Sequence, residues 1–190
     1  MQENILRIKT RTAWRNWLMK NFNEGKEVWL VFPKKTSGEK RIQYNDAVEE
    51  ALCFGWIDST QRTLDSNHTI QRFTPRKSKC NYSQANKERL RWLSEKKMIH
   101  PSLEESLQEI IKSEFVFPPD IINALKKDKT AWGNYESFSE SYKRIRIAYI
   151  DGARNRPDEF KKRLSSFIER TRDNKLIKGF GGIDKYYQTK

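Results

Sequence analysis

Residues 51–77 read ALCFGWIDSTQRTLDSNHTIQRFTPRK, and they contain the signals for a helix end and for two strands. Its first residues end an apolar helix face, and Gly55 is placed to close that helix in the left-handed backbone conformation. The two segments that follow, WIDSTQRTL and TIQRFTPR, are rich in Thr, Ile, Phe and Trp, as strands are. DSNH between them carries residues that favour turns. The stretch therefore predicts a helix that ends at a glycine and continues into a β-hairpin.

Toward the N-terminus the pattern predicts two helices and a strand. Apolar residues at helical spacing predict an amphipathic helix over residues 12–23. VWLVF at 28–32 predicts a short buried strand, and RIQY at 41–44 predicts a brief extended piece. Asn45 is the predicted N-cap of the helix that leads into the hairpin, because its side chain can accept from a backbone N–H of the first turn.

Toward the C-terminus the chain is predicted to be helical. Capping residues, prolines and apolar spacing are the signals for these helices. The predicted helices are one of about 84–97 capped by Ser83, one opened by the capping box SLEE at 102–105, a short one beginning near Pro119, one carrying Tyr142, Ile145 and Tyr149, and a long one beginning at Pro157.

These elements predict an α+β protein with a small antiparallel sheet. We expect residues 1–100 to form an α+β module in which helices pack on the sheet and its hairpin. Residues 101–172 are predicted to form a C-terminal helical module. Residues 173–190 contain three glycines and no hydrophobic period, which predicts a flexible basic tail.

The charge balance favours acidic partners. The 190 residues carry 38 Lys and Arg against 25 Asp and Glu, a formal net charge of +13. Residues 141–190 hold 14 basic and 6 acidic residues, so most of the excess lies there. Such an excess attracts nucleic acid, anionic lipid heads or small anions, although a solubilising surface explains it equally well.

Compartment and cofactor expectations follow from what the sequence does not contain. No apolar run approaches the ~20 residues of a membrane helix, and the first residues lack the apolar core of a secretory signal. Two cysteines, Cys53 and Cys80, are too few for a disulfide framework. We therefore expect a cytoplasmic protein with no membrane span. The sequence does not predict an oligomeric state.

Metal and covalent chemistry find little support. The two histidines, His68 and His100, and the two cysteines do not show the spacing of a zinc site. Cys53 lies among apolar neighbours and is predicted to be an inert core thiol. We expect no metal, no cofactor and no catalytic residue from these types.

Four segments resemble the YdeI/OmpD-associated family, also described as bacteriocin-protection proteins: VWLVFPKK, YNDAVEEALCFGWIDS, RFTPRK and the S-x-x-N at 83–86. Residues 118–164 continue the resemblance and are similar to the family's helical module. Two departures are Tyr82, where the family usually has tryptophan, and Asp158-Glu159-Phe160 in place of T-R. The resemblance implies a cytoplasmic role in envelope stress or peptide tolerance, with no catalytic residue to transfer.

The predicted binding surface joins the WIDS strand to RFTPRK. Asp58 admits two interpretations. It forms a cross-strand ion pair with Arg72, or it is the polar floor of a pocket walled by Trp56 and Phe73. The predicted ligand-binding residues are Trp56, Asp58, Arg72, Phe73, Arg76 and Lys77.

Together these observations predict a non-enzymatic binding protein for an anionic ligand. The alternative is nucleic-acid binding, because RFTPRKSKCNYS mixes cations with aromatic rings on which bases stack. The third is an enzyme of unknown type that uses Asp58. A charge of +13 argues against sequestration of cationic peptides by simple attraction, since like charges repel.

Overall fold

A computed structural model describes residues 4–77, 82–177 and 185–186. Those residues form four strands, eight α-helices and a short 3-10 turn. In chain order these are β1 (Ile5–Leu6), α1 (Arg11–Asn21), β2 (Val28–Pro33), the 3-10 turn (Lys35–Ser37), α2 (Tyr44–Cys53), β3 (Trp56–Thr63), β4 (His68–Pro75), α3 (Gln84–Glu95), α4 (Pro101–Lys112), α5 (Pro119–Lys126), α6 (Lys129–Ser137), α7 (Glu140–Asp151) and α8 (Pro157–Arg172).

The four strands form one sheet in the order β1-β2-β4-β3. β4 runs antiparallel to both β2 and β3, whereas β1 pairs parallel with β2. The sheet is therefore mixed, and the predicted α+β class is confirmed. β1 was not predicted, because its two residues are too few to show an alternation.

The hairpin has the predicted turn and the predicted glycine. The Asp65 carboxylate accepts from the backbone N–H of Asn67 at 2.8 Å and of His68 at 2.9 Å. These bonds are the local reason why DSNH turns. Gly55 has φ +71°, which confirms the left-handed helix end.

A β-bulge interrupts the hairpin after Asp58. Asp58 lies opposite Phe73, and the next regular pair is Gln61 with Gln71. Two residues, Ser59 and Thr60, thus face one residue of β4. The bulge keeps Asp58 and Gln61 on one sheet face although they are three residues apart.

One face of the sheet packs under α1 and α2. Trp14 and Phe73 are both buried, with ring centroids 5.3 Å apart. The Trp14 indole N–H donates to the Ala47 carbonyl at 3.0 Å, and the Trp56 indole N–H donates to the Phe22 carbonyl at 3.1 Å. These buried indoles satisfy their polar atoms while filling the core.

Ion pairs join α1 to α2 inside this packing. Arg11 lies 3.0 Å from Asp46 and 2.9 Å from Glu49. Glu50 contacts Arg11 at 2.5 Å and Arg15 at 2.7 Å. Glu49 and Glu50 are buried, so loss of an arginine would leave buried negative charge poorly compensated.

The helices after α4 have a core around Tyr142. This residue of α7 is fully buried, its ring lies 6.4 Å from Phe167 of α8, and its hydroxyl accepts from the Ile177 N–H at 3.0 Å. Glu88 of α3 accepts two hydrogen bonds from the Arg144 guanidinium, at 2.7 and 2.9 Å. The bidentate geometry makes this a strong charge-assisted pair.

The chain divides into two compact units that are discontinuous in sequence. The first consists of residues 1–81 and 90–108, and the second of residues 82–89 and 109–190. The predicted boundaries at residues 100 and 172 stay predictions. Most of the predicted tail lies outside the described residues, but Tyr186 is buried and its carbonyl accepts from the Ser141 hydroxyl at 2.5 Å.

Two local predictions were wrong, and one helix was not predicted. The N-cap of α2 is Gln43 rather than Asn45, because Tyr44, predicted to be extended, already belongs to the helix. α4 begins at Pro101, so Ser102 lies inside the helix and does not open a capping box. The Ser102 N–H donates to His100 Nδ1 at 3.3 Å. Helix α6 was missed, because KTAWGNYES contains a glycine and little apolar periodicity.

Candidate functional site

The six residues of the predicted binding surface lie in different surroundings. Trp56 and Phe73 are both 0% exposed and belong to the core under α1. They therefore cannot wall an open pocket in this conformation. Any ligand contact from them would require the core to open.

Asp58 and Arg72 do not pair with each other. The Asp58 carboxylate accepts a hydrogen bond from the Tyr44 hydroxyl. Arg72 lies opposite Trp29 of β2 and donates from Nε to Glu27 at 3.0 Å. That hydrogen bond lowers the pKa of the Glu27 carboxyl. The cross-strand ion pair, one of the two interpretations of Asp58, was wrong, because alternation along β4 turns Arg72 to the face opposite Phe73.

Arg76 and Lys77 follow the end of β4. The Arg76 N–H donates to the Gly55 carbonyl at 2.8 Å, which fixes the backbone there. The Arg76 side chain is half-buried and Lys77 is exposed. The structure thus places two cations beyond the strand, while Asp58 and Arg72 lie on opposite faces. The six-residue surface stays a prediction.

A concave site of a different kind lies among the helices of the second unit. We call it the aromatic groove. It has a volume of about 220 Å³ and is lined by Phe117, Ile122, Trp132, Tyr135, Glu140 and Lys143. Three aromatic rings and one aliphatic side chain thus meet one cation and one carboxylate.

Local sequence features position each part of the groove. Phe117 directly precedes Pro118 and Pro119, and Pro119 begins α5 with its fixed φ. The side chain of Asp128 caps α6 by accepting from the Ala131 N–H at 3.0 Å. Ser139 caps α7 in the same way, accepting from the Tyr142 N–H at 3.4 Å. Three helices, each with its own start signal, therefore build the groove together with Phe117.

Spacing on the helices then turns the side chains inward. Trp132 and Tyr135 are three residues apart on α6, and Glu140 and Lys143 are three residues apart on α7. Residues at this spacing lie on the same helix face. The two rings stack, with centroids 5.4 Å apart and planes at 28°.

Two lysines contact the aromatic wall. The Lys143 ammonium lies 5.2 Å from the Tyr135 ring centroid and 2.9 Å from the Glu140 carboxylate. The Lys126 ammonium lies 4.8 Å from the Trp132 ring centroid. These are cation–π distances. Burial, with a smaller contribution from Glu140, raises the pKa of Tyr135 far above its ordinary value, so its hydroxyl stays neutral.

The chemistry of this arrangement is recognition. Apolar rings can hold a flat organic body, and ammonium groups at the rim can pair with an anion. Sequence reasoning missed the groove because its residues come from α5, α6, α7 and the segment before them. The available signal was W-x-x-Y in a chain segment that also carries Lys126, Lys127 and Lys129.

Other chemistry finds no support in the residues that the structure describes. Burial, followed by the nearby Glu50 carboxylate, raises the pKa of the Cys53 thiol to about 12. Its predicted inertness fits this environment. In residues 4–77, 82–177 and 185–186, no group of three or more His, Cys, Asp and Glu side chains could hold a metal ion. No helix in the same ranges has the length and apolar character needed to cross a membrane.

Comparison with protein families divides the chain into two segments. Residues 6–106 match the family model described as Domain of unknown function (DUF8412), which covers more than half of the 190 residues. The chain belongs to this family. Residues 114–174 match the model described as Bacteriocin-protection, YdeI or OmpD-Associated. This match confirms the resemblance predicted from the sequence, and all six lining residues of the groove lie within it.

The hairpin motifs lie outside that second match. VWLVFPKK and ALCFGWIDS both fall within residues 6–106 and thus belong to the DUF8412 segment. The curated proteins contain no match to the chain, and neither do the solved structures.

Proposed function

We propose that this DUF8412 protein is a non-enzymatic binding protein for an anionic small molecule, and that the aromatic groove is its binding site. The single observation that carries the proposal is the meeting of Phe117, Trp132 and Tyr135 with Lys143 at one concave surface. Ligand sites combine an apolar wall with a few placed polar groups in this way. The net charge of +13 supports an anion as the ligand.

The hairpin surface is the competing location for the same function. Its two aromatic residues are buried, and Arg72 is engaged by Glu27. Arg76 and Lys77 lie at the end of β4, and neither Trp56 nor Phe73 is exposed to form an apolar wall beside them. Two cations without an accessible apolar wall hold a small anion less selectively, which favours the groove.

We further propose a cytoplasmic role in envelope stress or tolerance of antimicrobial peptides. The support is the match of residues 114–174 to the family described as Bacteriocin-protection, YdeI or OmpD-Associated. Direct capture of cationic peptides fits poorly with a chain of +13. A role that depends on binding an anionic ligand fits the charge of the chain better.

A thermal-shift screen of anions, nucleotides and oligonucleotides tests the binding function. A ligand that binds the native state selectively raises the unfolding midpoint. For a small anion found this way, Lys143→Met should weaken binding about tenfold, because a charge-assisted hydrogen bond is lost. Arg76→Ala should leave affinity unchanged. The opposite ranking would move the site to the hairpin, and a screen without any hit would contradict the proposal.

Nucleic-acid binding is the second candidate, and α8 carries the observation that favours it. Lys161, Lys162 and Arg170 are exposed on this helix. Arg163, in contrast, is half-buried and donates to Glu159 at 2.7 Å and to the Tyr149 carbonyl at 2.7 Å. A polyanion should therefore lose affinity when the three exposed cations are replaced by Gln.

Salt dependence separates the two candidates. Binding to an oligonucleotide releases counterions in proportion to the phosphates neutralised, so its affinity falls steeply with salt. The triple variant at positions 161, 162 and 170 should flatten that slope. It should leave the binding of a small anion in the groove unchanged. A ratio of 260 to 280 nm absorbance typical of pure protein after purification would count against nucleic acid.

No observation favours the third candidate, an enzyme that uses Asp58. The Asp58 carboxylate accepts a hydrogen bond from Tyr44, which is an ordinary surface contact between α2 and β3. We therefore propose no reaction.

A further inference from the structure

We infer that the ligand of the aromatic groove is a monocyclic aromatic carboxylate. This inference rests on the proposed function and narrows it to one chemical class. It combines three properties of the groove: its volume, the arrangement of its rings and the position of its charged groups.

The volume of the groove matches a ligand of about one ring. An engineered cavity of about 150 Å³ in a protein interior holds benzene, and pockets for drug-sized ligands span about 300–1,000 Å³. The groove, at about 220 Å³, lies between these values. It has room for a six-membered ring with a carboxylate, whereas most of a nucleotide would extend beyond the groove into solvent.

The walls favour a flat ring over a branched aliphatic body. Trp132 stacks on Tyr135 with an angle of 28° between their planes. Tyr135 is only 4% exposed, so the ring surface that a ligand can reach comes from Trp132 and Phe117, which are half-buried. Phe117 and Ile122 complete the apolar lining. Aromatic pairs gain energy in offset or edge-to-face arrangements beyond the area that they bury, and an aliphatic ring cannot make these contacts.

Lys143 supplies the contact for the carboxylate. Its ammonium donates to the Glu140 carboxylate at 2.9 Å and to the Glu136 carbonyl at 3.1 Å. An ammonium has three N–H donors, so a third remains for a ligand while the side chain is held in place. Lys126, beside Trp132, adds a second positive charge at the same wall.

The same lysines exclude a cationic ligand. Aromatic walls with a nearby carboxylate are also used to bind quaternary ammonium groups. Here the ring centroids of Tyr135 and Trp132 already have Lys ammonium groups at 5.2 and 4.8 Å. A cation entering the groove would have to displace these like charges, whereas an anion is attracted by them.

Titration of the full chain with six simple compounds tests the inference. Benzoate, cyclohexanecarboxylate, acetate, phosphate, a nucleoside monophosphate and tetramethylammonium are measured by ligand-observed NMR and calorimetry. Benzoate should bind about tenfold or more tightly than acetate, because the ring adds buried apolar area. It should also bind more tightly than cyclohexanecarboxylate.

The outcomes separate this inference from the proposed function. Preferred binding of phosphate, the nucleotide or cyclohexanecarboxylate would overturn the aromatic carboxylate and leave an anion-binding protein. Preferred binding of tetramethylammonium would overturn both. Failure of every anion to bind would also overturn both.

Paired variants locate the binding in the groove. Lys143→Met should weaken benzoate about tenfold. Glu140→Gln should tighten it, because a competing negative charge is removed while the side-chain size is kept. Lys127→Met is the matched control, since Lys127 is exposed and does not line the groove. The two substitutions should change the affinity for benzoate in opposite directions. A loss of protein stability common to both variants could not produce that result. Weaker or unchanged binding in Glu140→Gln would overturn the placement of the carboxylate.

Discussion

Gly55 is the residue on which the connection from α2 to β3 depends. Its φ of +71° is costly for any residue with a Cβ, and a Cβ there would meet a methyl carbon of Leu103 at 3.3 Å. We predict that Gly55→Val lowers the free energy of unfolding by at least ~1 kcal/mol. Denaturant titration measures this change.

Gly133 provides the control for that substitution. It lies within α6, and a Cβ built there meets no atom within 4 Å. Gly133→Ala should stabilise the protein by roughly 0.5–1 kcal/mol, because alanine is the better helix former. An unchanged midpoint in Gly55→Val, alongside a shift in the control, would show that the left-handed conformation carries no cost.

Cys53 offers a test of the buried core. Burial and the Glu50 carboxylate raise the pKa of its thiol to about 12, so the reactive thiolate is rare at neutral pH. In a Cys80→Ser background, we predict that a thiol reagent at pH 8 modifies Cys53 roughly a hundredfold or more slowly than in denaturant, because reaction requires opening of the core. Equal rates would mean that the α2 core opens readily.

The structural role of a single residue was predictable where one local constraint dominates. Gly55 follows an apolar helix face and precedes a strand, so few other roles were open to it. Asn45 is not the N-cap, because α2 already begins at Tyr44. The Tyr44 ring packs on Phe32, with ring centroids 6.2 Å apart. Local capping preference is weaker than such packing.

Helix α6 depends on an ion pair between two elements. Asp128 caps α6 and lies 2.5 Å from Arg172 at the end of α8. The hydrogen bond from the Ala131 N–H, followed by that from Arg172, lowers the pKa of the Asp128 carboxyl below its ordinary value. A carboxyl whose pKa is lowered on folding stabilises the protein above its unfolded pKa, and that stabilisation is lost as the pH falls through the folded pKa.

Asp128→Asn isolates this contribution, because asparagine remains a good cap without the charge. We predict a lower unfolding temperature than wild type at pH 7, and a difference that shrinks as the pH falls below 3.8. Asp173→Asn, at an exposed residue paired with Lys175, is the matched control and should show a smaller difference at pH 7. A difference for Asp128→Asn that is constant from pH 7 to pH 3 would contradict the role of the charge.

Elements whose sequence shows a regular hydrophobic period or a turn signal were predictable. Helix α6, which is stabilised by contacts with other elements, was not. The hairpin and α8 follow from turn residues and from Phe160, Leu164 and Phe167 at helical spacing. Only Ala131 and Tyr135 of α6 are buried, so the sequence of the helix shows almost no continuous hydrophobic face. The groove could not be predicted because its residues are far apart in sequence and only the tertiary fold brings them together.

For the whole molecule we predict that the fold requires neither a metal nor a disulfide. Within the described ranges no side-chain cluster could hold a metal, Cys53 is a buried free thiol, and Cys80 lies outside those ranges. Thermal unfolding with a chelator and with a reductant should coincide with unfolding in buffer alone. A fall of many degrees in either condition would contradict the prediction.

The fold class was predictable because composition and element order limit the options to a few layered arrangements. The division into two units was not. It depends on α3, whose residues 84–89 belong to the second unit and whose residues 90–95 belong to the first. Nothing in the sequence of a single amphipathic helix shows that its two halves serve different cores.

The division of α3 also has a consequence for folding during synthesis. The first unit has all its residues once position 108 has been made, whereas residues 82–89 pack in a core whose remainder begins at position 109. At about 5–20 residues per second, the ribosome needs about 3–13 s to reach the end of α8. During that interval the front half of α3 has been synthesised without the partners it will pack against. A translation pause between positions 108 and 172 would lengthen the time for which residues 84–89 are exposed to chaperones.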